Sequence, residues 1–197
     1  ARPAAADTGD RVVETSHVAR IGGAEIRYTA TVGRLVLRTA AGKPRANIFF
    51  TYYRKDGEAV KARPITFTYN GGPGSPSIWL HMGLLGPKRV QMATDGFQPA
   101  PPYSLVDNEE SPLDVTDVVL IDPVQTGYSR AVEGEDPRPF LGVRGDVQSV
   151  AEFIRVFTTK FGRWPSPKYL LGESYGTMRS AGLSAELQNR HGMELNG

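Results

Sequence analysis

The sequence predicts an α/β fold with a mixed, mostly parallel sheet whose N-terminal strands are antiparallel. Three observations support this prediction. Apolar and polar residues alternate between short turns over about residues 12–69. A short, continuously apolar segment follows at 117–121, which is typical of a strand covered on both faces. From residue 146 to about residue 188, a helical, a strand-like and a second helical pattern succeed one another, as in strand–helix units.

The N-terminal strands are predicted from alternation and from turn residues. Apolar positions alternate from residue 24 to residue 37, and Gly33 shifts their parity. Segments 46–53 and 64–69 form two further predicted strands, bounded by turns at 41–44 and 56–57. Because the connections are short, we expect these strands to pair with their sequence neighbours in antiparallel fashion.

The second half of the chain alternates between helix and strand. Residues 93–116 are rich in turn residues and predict a surface excursion before the strand at 117–121. Asp146 is a good N-cap for a helix whose apolar stripe continues to Phe157. A buried strand at 169–171 leads into a helix from Thr177 to about Gln188. Its predicted inner face consists of Met178, Ala181 and Ala185.

A serine lies at the junction between that last strand and its helix. Gly172-Glu173-Ser174-Tyr175-Gly176 has the Gly-x-Ser-x-Gly spacing of a nucleophile elbow. Residues two before and two after the serine must pass close together, so glycine is needed at both positions. A second serine, Ser129, has small residues at the same offsets, but no helix pattern follows it. We therefore assign Ser174 as the candidate nucleophile.

A glycine-rich loop, Asn70-Gly71-Gly72-Pro73-Gly74-Ser75, follows the strand at 64–69. It lacks the Gly-Lys-Ser/Thr ending of a phosphate-binding P-loop, which makes that interpretation weak. An oxyanion loop is the alternative, because α/β-hydrolases take one oxyanion donor from the loop after an early strand. An ordinary turn also remains open when this loop is considered alone.

The composition excludes several classes of function. The 197 residues include 23 Lys and Arg against 21 Asp and Glu, without a basic stripe, so no nucleic acid partner is expected. No apolar run is long enough to span a membrane, and no membrane partner is expected. Cysteine is absent and the three histidines lack metal-ligand spacing. We therefore expect no metal and no cofactor.

The first ten residues are small, polar or proline-containing, and we interpret residues 1–10 as a flexible N-terminus. This segment is also compatible with the mature end left after removal of a signal peptide, which would place the protein in the periplasm or outside the cell.

Three blocks together resemble the serine carboxypeptidase family of α/β-hydrolases, from about residue 11 onward. They are FTYNGGPGS at 67–75 with LGP at 85–87, LIDPVQTGYS at 120–129, and GESYG at 172–176. The resemblance implies an α/β-hydrolase fold and a serine-type peptidase of the bacterial branch. It implies that residues 11–197 form the N-terminal part of one such domain.

The resemblance also implies roles for individual residues. Ser174 would be the acyl-forming nucleophile, and the backbone N–H groups of Gly72 and Tyr175 would form the oxyanion hole. Asn70, Gly71 and Glu173 would bind the free C-terminal carboxylate of a peptide substrate. A carboxylate beside Glu173 is stable only if one of the two holds a proton, which favours acidic conditions for peptide binding.

The sequence departs from the family pattern at four positions. Thr68 replaces the usual Trp, Leu84 the usual Glu, Ser75 the usual Cys and Gln125 the usual Gly. Thr68 and Leu84 remove two parts of the carboxylate-recognition apparatus. An acyltransferase or an esterase on the same scaffold is therefore the alternative to a carboxypeptidase, and a non-catalytic binding module is a third hypothesis.

No triad acid or base is predicted within these residues. In α/β-hydrolases both follow the nucleophile, and here the only later histidine, His191, would lie about 25 Å away along a helix. We expect the acid, the base and any cap to lie C-terminal to residue 197, in the same or a separate chain. We also expect the 197 residues alone to be inactive. The sequence does not decide the oligomeric state, and a homodimer is one alternative.

Overall fold

A computed structural model of the protein describes residues 9–197. Of the predicted flexible N-terminus, residues 1–8 lie outside the described residues. Asp10 is held in place, because it accepts hydrogen bonds from the Val36 N–H (2.9 Å) and from Lys160 Nζ (2.8 Å).

One mixed sheet organises the chain. Its strands are β1 (Arg11–Ile21), β2 (Ala24–Arg38), β3 (Pro44–Lys55), β4 (Ile65–Tyr69), β7 (Asp117–Ile121), β8 (Arg130–Ala131) and β9 (Lys168–Gly172). The order across the sheet is β1-β2-β3-β7-β4-β9, and the short β8 pairs with β3. The first three strands are antiparallel to their neighbours, whereas β7, β4 and β9 are parallel to one another.

Two long hairpins form the antiparallel half. The first turns at Gly22 and Gly23, both with positive φ, a break that the sequence interpretation did not separate from the strands around it. The parity shift in β2 is confirmed. Before Gly33 the buried apolar positions are Ile26, Tyr28 and Ala30, and after it Leu35 and Leu37 are buried, together with Val36 between them. Gly33 permits the close pairing there, since a Cβ would lie 2.0 Å from the carbonyl oxygen of Arg11.

The predicted pairing of the third strand is wrong. β4 runs antiparallel to β3 but is not its neighbour, because β7 lies between them. All five residues of β4 and all five of β7 are buried. Such fully buried strands gain most from the centre of a sheet covered on both faces, and this outweighs the short connection from β3 to β4.

Two helices cover one face of the sheet: α2 (Gly142–Lys160) and α3 (Tyr175–His191). The apolar stripe of α2 is confirmed, and Phe153 and Phe157 pack against Phe50 of β3 in the main core, with tilted and edge-on ring contacts. The predicted cap of α2 is wrong. Leu141 occupies the N-cap position, and Asp146 lies inside the helix, where it pairs with Arg179.

The predicted inner face of α3 is also wrong. Met178, Ala181 and Ala185 are exposed, and the buried positions are Gly176, Arg179, Leu183 and Leu187. These positions follow one another at intervals of three or four residues, as one helix face does. The sequence interpretation missed this face because the charged Arg179 interrupts the apolar pattern at its centre.

The remaining elements lie outside the main layers. α1 (Ile78–Leu80) continues as a π-helical turn at His81–Leu85, and β5 (Lys88–Val90) pairs with β6 (Leu105–Asp107). Short 3-10 turns lie at Pro112–Asp114 and Arg138–Phe140. The predicted surface excursion at 93–116 therefore carries one strand of a small hairpin.

Candidate active site

Ser174 lies between the end of β9 and the first residue of α3, at the carboxyl end of the parallel strands. Its backbone has φ 57° and ψ −123°, a conformation that costs a non-glycine residue about 1–3 kcal/mol. The residue is exposed. A strained and exposed serine at a strand-to-helix turn is the arrangement that the elbow motif requires.

The two elbow glycines are sterically required. A Cβ on Gly172 would lie 2.1 Å from the carbonyl oxygen of Gly176, so the chain passes itself without room for a side chain. A Cβ on Gly176 would lie 2.9 Å from the carbonyl oxygen of Tyr69. The second contact joins the elbow to the end of β4, where the glycine-rich loop begins.

The glycine-rich loop lies directly against the elbow. A Cβ on Gly71 would lie 2.5 Å from the backbone nitrogen of Tyr175 and 2.6 Å from the carbonyl oxygen of Glu173. Gly72 follows with φ 108°, which a residue with a side chain rarely adopts. The loop that carries Gly72 therefore packs, through Gly71, against the backbone of Tyr175.

Hydrogen bonds hold this arrangement. The Glu173 N–H donates to the Tyr69 carbonyl (3.3 Å), and the Ser75 N–H donates to the Gly71 carbonyl (3.2 Å). The Asn70 side chain bridges two elements. Its Nδ2 donates to Glu173 Oε2 (3.1 Å), and its Oδ1 accepts from the Leu80 N–H (3.0 Å). Asn70 is buried and Glu173 is exposed, so the amide fixes one side of a carboxylate that remains open to solvent.

The start of α3 provides a favourable field for negative charge. The Tyr175 N–H is the first of the helix, and the first N–H groups of a helix have no partner within it. Together with the helix dipole they attract an anion. Burial raises the pKa of the Tyr175 phenol, with a smaller contribution from Asp146. That phenol is therefore neutral at ordinary pH.

Sequence reasoning missed one residue pair next to the elbow. Arg179 Nε donates to Asp146 Oδ2 (2.8 Å), and Arg179 Nη1 donates to the Asn70 carbonyl (2.8 Å). The helical spacing of Gly176, Arg179 and Leu183 is the signal that could have found it.

Ser129, the rejected alternative nucleophile, is fully buried. Its Oγ donates to the Asp122 carbonyl (2.6 Å) and accepts from the Phe49 N–H (2.8 Å). Both partners are backbone groups, one on β3 and one just after β7, so the hydroxyl has a structural role and is not accessible to substrate.

None of the three histidines in the described part of the chain contacts Ser174. His17 bonds to Thr15 on β1, and His81 bonds to the Tyr53 hydroxyl (2.6 Å). Burial lowers the pKa of His81 to about 4. His191 ends α3, whose 17 residues separate it from the elbow by about 25 Å.

The four departures from the family pattern have different surroundings. Thr68 is wholly buried in β4, and its Oγ1 has no hydrogen-bond partner among the described residues. Leu84 is 55% exposed and presents an apolar surface. Gln125 has φ 70°, which explains why glycine suits that position. Ser75 donates its N–H to Gly71 within the loop.

Across residues 9–197 there is no cluster of three or more His, Cys, Asp or Glu residues that could hold a metal ion. The helices described in that range are all too short or too polar to cross a bilayer.

Comparison with known proteins gives one family. Residues 37–196 match the family model described as serine carboxypeptidase. No curated protein sequence matches the chain. Among solved structures, the chain is similar to juvenile hormone epoxide hydrolase from the silkworm Bombyx mori, with 14% identity, a TM-score of 0.45 and coverage of 85% of this chain and 33% of that one.

A peroxisomal α/β-hydrolase from Saccharomyces cerevisiae is also similar, with 11% identity, a TM-score of 0.44 and coverage of 95% of this chain and 43% of that one. The chain thus spans between 33% and 43% of the length of these two structures. The mixed sheet with a strand–elbow–helix unit confirms the predicted α/β-hydrolase fold, of which this chain contains a part.

Proposed function

Since the chain belongs to the serine carboxypeptidase family, we propose that it supplies the nucleophile and the oxyanion donors of a serine hydrolase that releases C-terminal residues from peptides. The observation that carries this proposal is the packing of Gly71 against the Tyr175 nitrogen beside the strained Ser174. This packing supports the proposal, because it brings the glycine-rich loop against the residues on both sides of the exposed Ser174.

The proposed reaction proceeds through an acyl-enzyme on Ser174. A general base takes the proton from Oγ as the Oγ–C bond to the last peptide carbonyl forms. The N–H groups of Gly72 and Tyr175 donate to the resulting oxyanion. The C–N bond then breaks and the leaving amine takes the proton. Water attacks the ester with help from the same base, and Oγ regains its proton.

The substrate's free carboxylate is proposed to bind at Asn70, Gly71 and Glu173. Asn70 Nδ2 already donates to Glu173 and holds its position. A substrate carboxylate beside Glu173 places two like charges together, and a proton held between them removes the repulsion. Peptide binding should therefore weaken as pH rises, whereas a substrate without a free carboxylate should be unaffected.

This substrate proposal predicts a pH dependence specific to free acids. N-blocked dipeptides with a free carboxylate should lose kcat/KM above neutral pH, and the corresponding amides and simple esters should not. Glu173→Gln, which remains neutral at every pH, should remove the difference. The measurement is kcat/KM against pH for the three substrates with the natural full-length protein. An identical profile for all three would contradict carboxylate recognition.

An acyltransferase or an esterase on the same scaffold is the second candidate. It is favoured by Leu84, an exposed apolar side chain where the family usually has an acid, and by Thr68, which is buried where the family usually has Trp. In this case esters should react well, Glu173→Gln should have little effect, and an added alcohol or amine acceptor should divert the acyl group from water.

Ser174→Ala should abolish turnover by either mechanism, by about 10⁴-fold or more, because the acyl acceptor is lost. Stability should remain near that of the wild type, which an unfolding curve would verify. Retained turnover in Ser174→Ala would contradict both mechanisms and favour the non-catalytic hypothesis. We further propose that the isolated 197-residue polypeptide shows no turnover dependent on Ser174, because no base contacts this residue within the described part.

A further inference from the structure

Arg179 connects three elements around the elbow. It lies on α3 and is 2% exposed. Its Nε donates to Asp146 on α2, and its Nη1 donates to the carbonyl of Asn70, which immediately follows β4. The guanidinium therefore joins both helices to the first residue of the glycine-rich loop.

The guanidinium of Arg179 also lies over two aromatic rings. Its central carbon lies 5.2 Å from the ring centre of Tyr69 and 5.2 Å from that of Tyr175. Tyr69 is the last residue of β4 and Tyr175 is the first of α3. The Tyr69 hydroxyl is held in turn by Ser180 Oγ (2.8 Å). A cation over an aromatic ring is attracted to it, more strongly where water is excluded.

The bond to Asn70 acts on the oxyanion loop itself. The Asn70 carbonyl belongs to the peptide unit whose nitrogen is that of Gly71, so a donor on this oxygen fixes the plane in which the loop begins. Gly71 then lies against the Tyr175 nitrogen. A guanidinium presents its donors in a rigid planar fork, which a lysine ammonium cannot imitate.

We propose that Arg179 is a positioning residue for the oxyanion hole, which holds the loop from Asn70 to Gly74 against the Tyr175 N–H through the Asn70 carbonyl. The kinetic consequence of this inference rests on the proposed function, but its structural consequence does not. Asp146 orients the guanidinium, and the two tyrosine rings keep it in plane.

Arg163 offers a matched control. It is also fully buried, bonds to a carboxylate on Asp117 and donates to the carbonyls of Arg63 and Pro64. These partners lie at the opposite end of the parallel strands. Arg179→Lys and Arg163→Lys make the same chemical change in similar surroundings, at different distances from Ser174.

The kinetic test compares the two variants in the natural full-length protein with an ester substrate. Arg179→Lys should lower kcat by about 10- to 100-fold, because a small misplacement of an oxyanion donor has effects of that size, and KM should change less than twofold. Arg163→Lys should lower the denaturation midpoint and leave kcat per folded molecule unchanged. Equal kcat values for Arg179→Lys and the wild type would overturn the proposal.

A structural test gives an answer even if the protein has no hydrolase activity. The N–H groups of Ser75, Leu80 and Glu173 bond to the loop or the elbow. Their hydrogen exchange should accelerate at least 10-fold in Arg179→Lys relative to β4 amides such as that of Phe67. In Arg163→Lys, the exchange rates of these three amides relative to the β4 amides should be the same as in the wild type. Unchanged exchange at all three amides in Arg179→Lys would overturn the proposal.

If Arg179→Lys does not fold, the double variant Arg179→Met with Asp146→Leu removes both buried charges together. The same loss of kcat and the same local increase in exchange are expected in this variant. A folded double variant with wild-type kcat and wild-type exchange would overturn the proposal. An inactive wild type would refute the proposed function alone, since the exchange experiment would still decide the role of Arg179.

Discussion

The two ends of the three parallel strands β7, β4 and β9 are built differently. At the amino ends, Asp117 accepts hydrogen bonds from Arg63 Nε (2.7 Å) and from Arg163. The side chains of Asp117 and Arg163 are both 0% exposed, and the Tyr52 hydroxyl joins the network. At the carboxyl ends, Ser174 is exposed in a strained conformation, and Glu173 is exposed beside it.

The difference shows where stability and reactivity are placed in this fold. At the amino ends, every charged group of the Asp117 network has a partner, so removing one partner leaves a buried charge uncompensated. At the carboxyl ends, backbone donors and side chains face solvent, and strain is retained where the nucleophile lies. Substitutions at the amino ends should therefore change stability, and substitutions at the carboxyl ends should mainly change activity.

The largest effect on stability is expected at Asp117. Asp117→Asn should lower the free energy of unfolding by about 3–5 kcal/mol, because Arg63 and Arg163 lose their buried counter-ion. Urea denaturation measures this change. Asp136→Asn is the control, since its ion pair with Arg138 is exposed and its loss should leave the denaturation midpoint unchanged.

In Asp117→Asn, hydrogen exchange at the amides of Ser75 and Glu173 should accelerate only as much as the loss of global stability requires. A larger acceleration of exchange at the elbow than elsewhere would show that the two strand ends are coupled. It would contradict the assignment of stability to one end and activity to the other.

His81 tests a buried titratable group near the carboxyl ends that has no ionic partner. Burial lowers its pKa to about 4, below the ordinary value of 6.5. Between these values the unfolded chain binds a proton that the folded chain does not, so stability falls as pH falls from 6.5 to 4. The loss should reach up to about 3 kcal/mol.

Urea denaturation at several pH values between neutral and acidic conditions measures the contribution of His81. His81→Gln, which does not titrate and can still bond to Tyr53, should lose less stability over this range than the wild type. Equal losses in both proteins would assign the pH dependence to other groups.

The smallest expected effect isolates the strain at the elbow. Ser174→Gly should raise the free energy of unfolding by about 1 kcal/mol, since glycine adopts this backbone conformation at lower cost. Ser174→Ala removes the same hydroxyl and keeps the Cβ, so the difference in urea denaturation between the two variants measures the strain minus the extra backbone entropy that glycine loses on folding. If Ser174→Gly were no more stable than Ser174→Ala, the elbow would not store strain.

Prediction from the sequence succeeded where the physical cause is local. The strand at Asp117–Ile121 was identified at the bounds that the structure gives, because the four consecutive apolar residues 118–121 need burial on both faces. The elbow was also identified, since its residue spacing is local and the contact that excludes a side chain at Gly172 is with Gly176. The grouping of Asn70 with Glu173 came from the family resemblance, and the structure joins these residues by a hydrogen bond.

Prediction failed where the partner lies far away in sequence. Asp146 resembled an N-cap because its local pattern suits one, but Arg179, 33 residues later, holds it inside α2. The burial of Arg179 was not predicted, because a lone arginine has no local reason to be buried. The position of β7 between β3 and β4 depends on a strand that follows 47 residues after β4.

The sequence by itself determined the strand–elbow–helix unit, the serine at its apex and the need for glycine at 172, because the forbidden contact of Gly172 is with Gly176, four residues later. Only the tertiary structure decided the strand order, the burial of Arg179 between two tyrosines and the approach of Gly71 to the Tyr175 nitrogen. The physical reason is that buried charges and close backbone approaches are stable only when residues distant in sequence supply their partners.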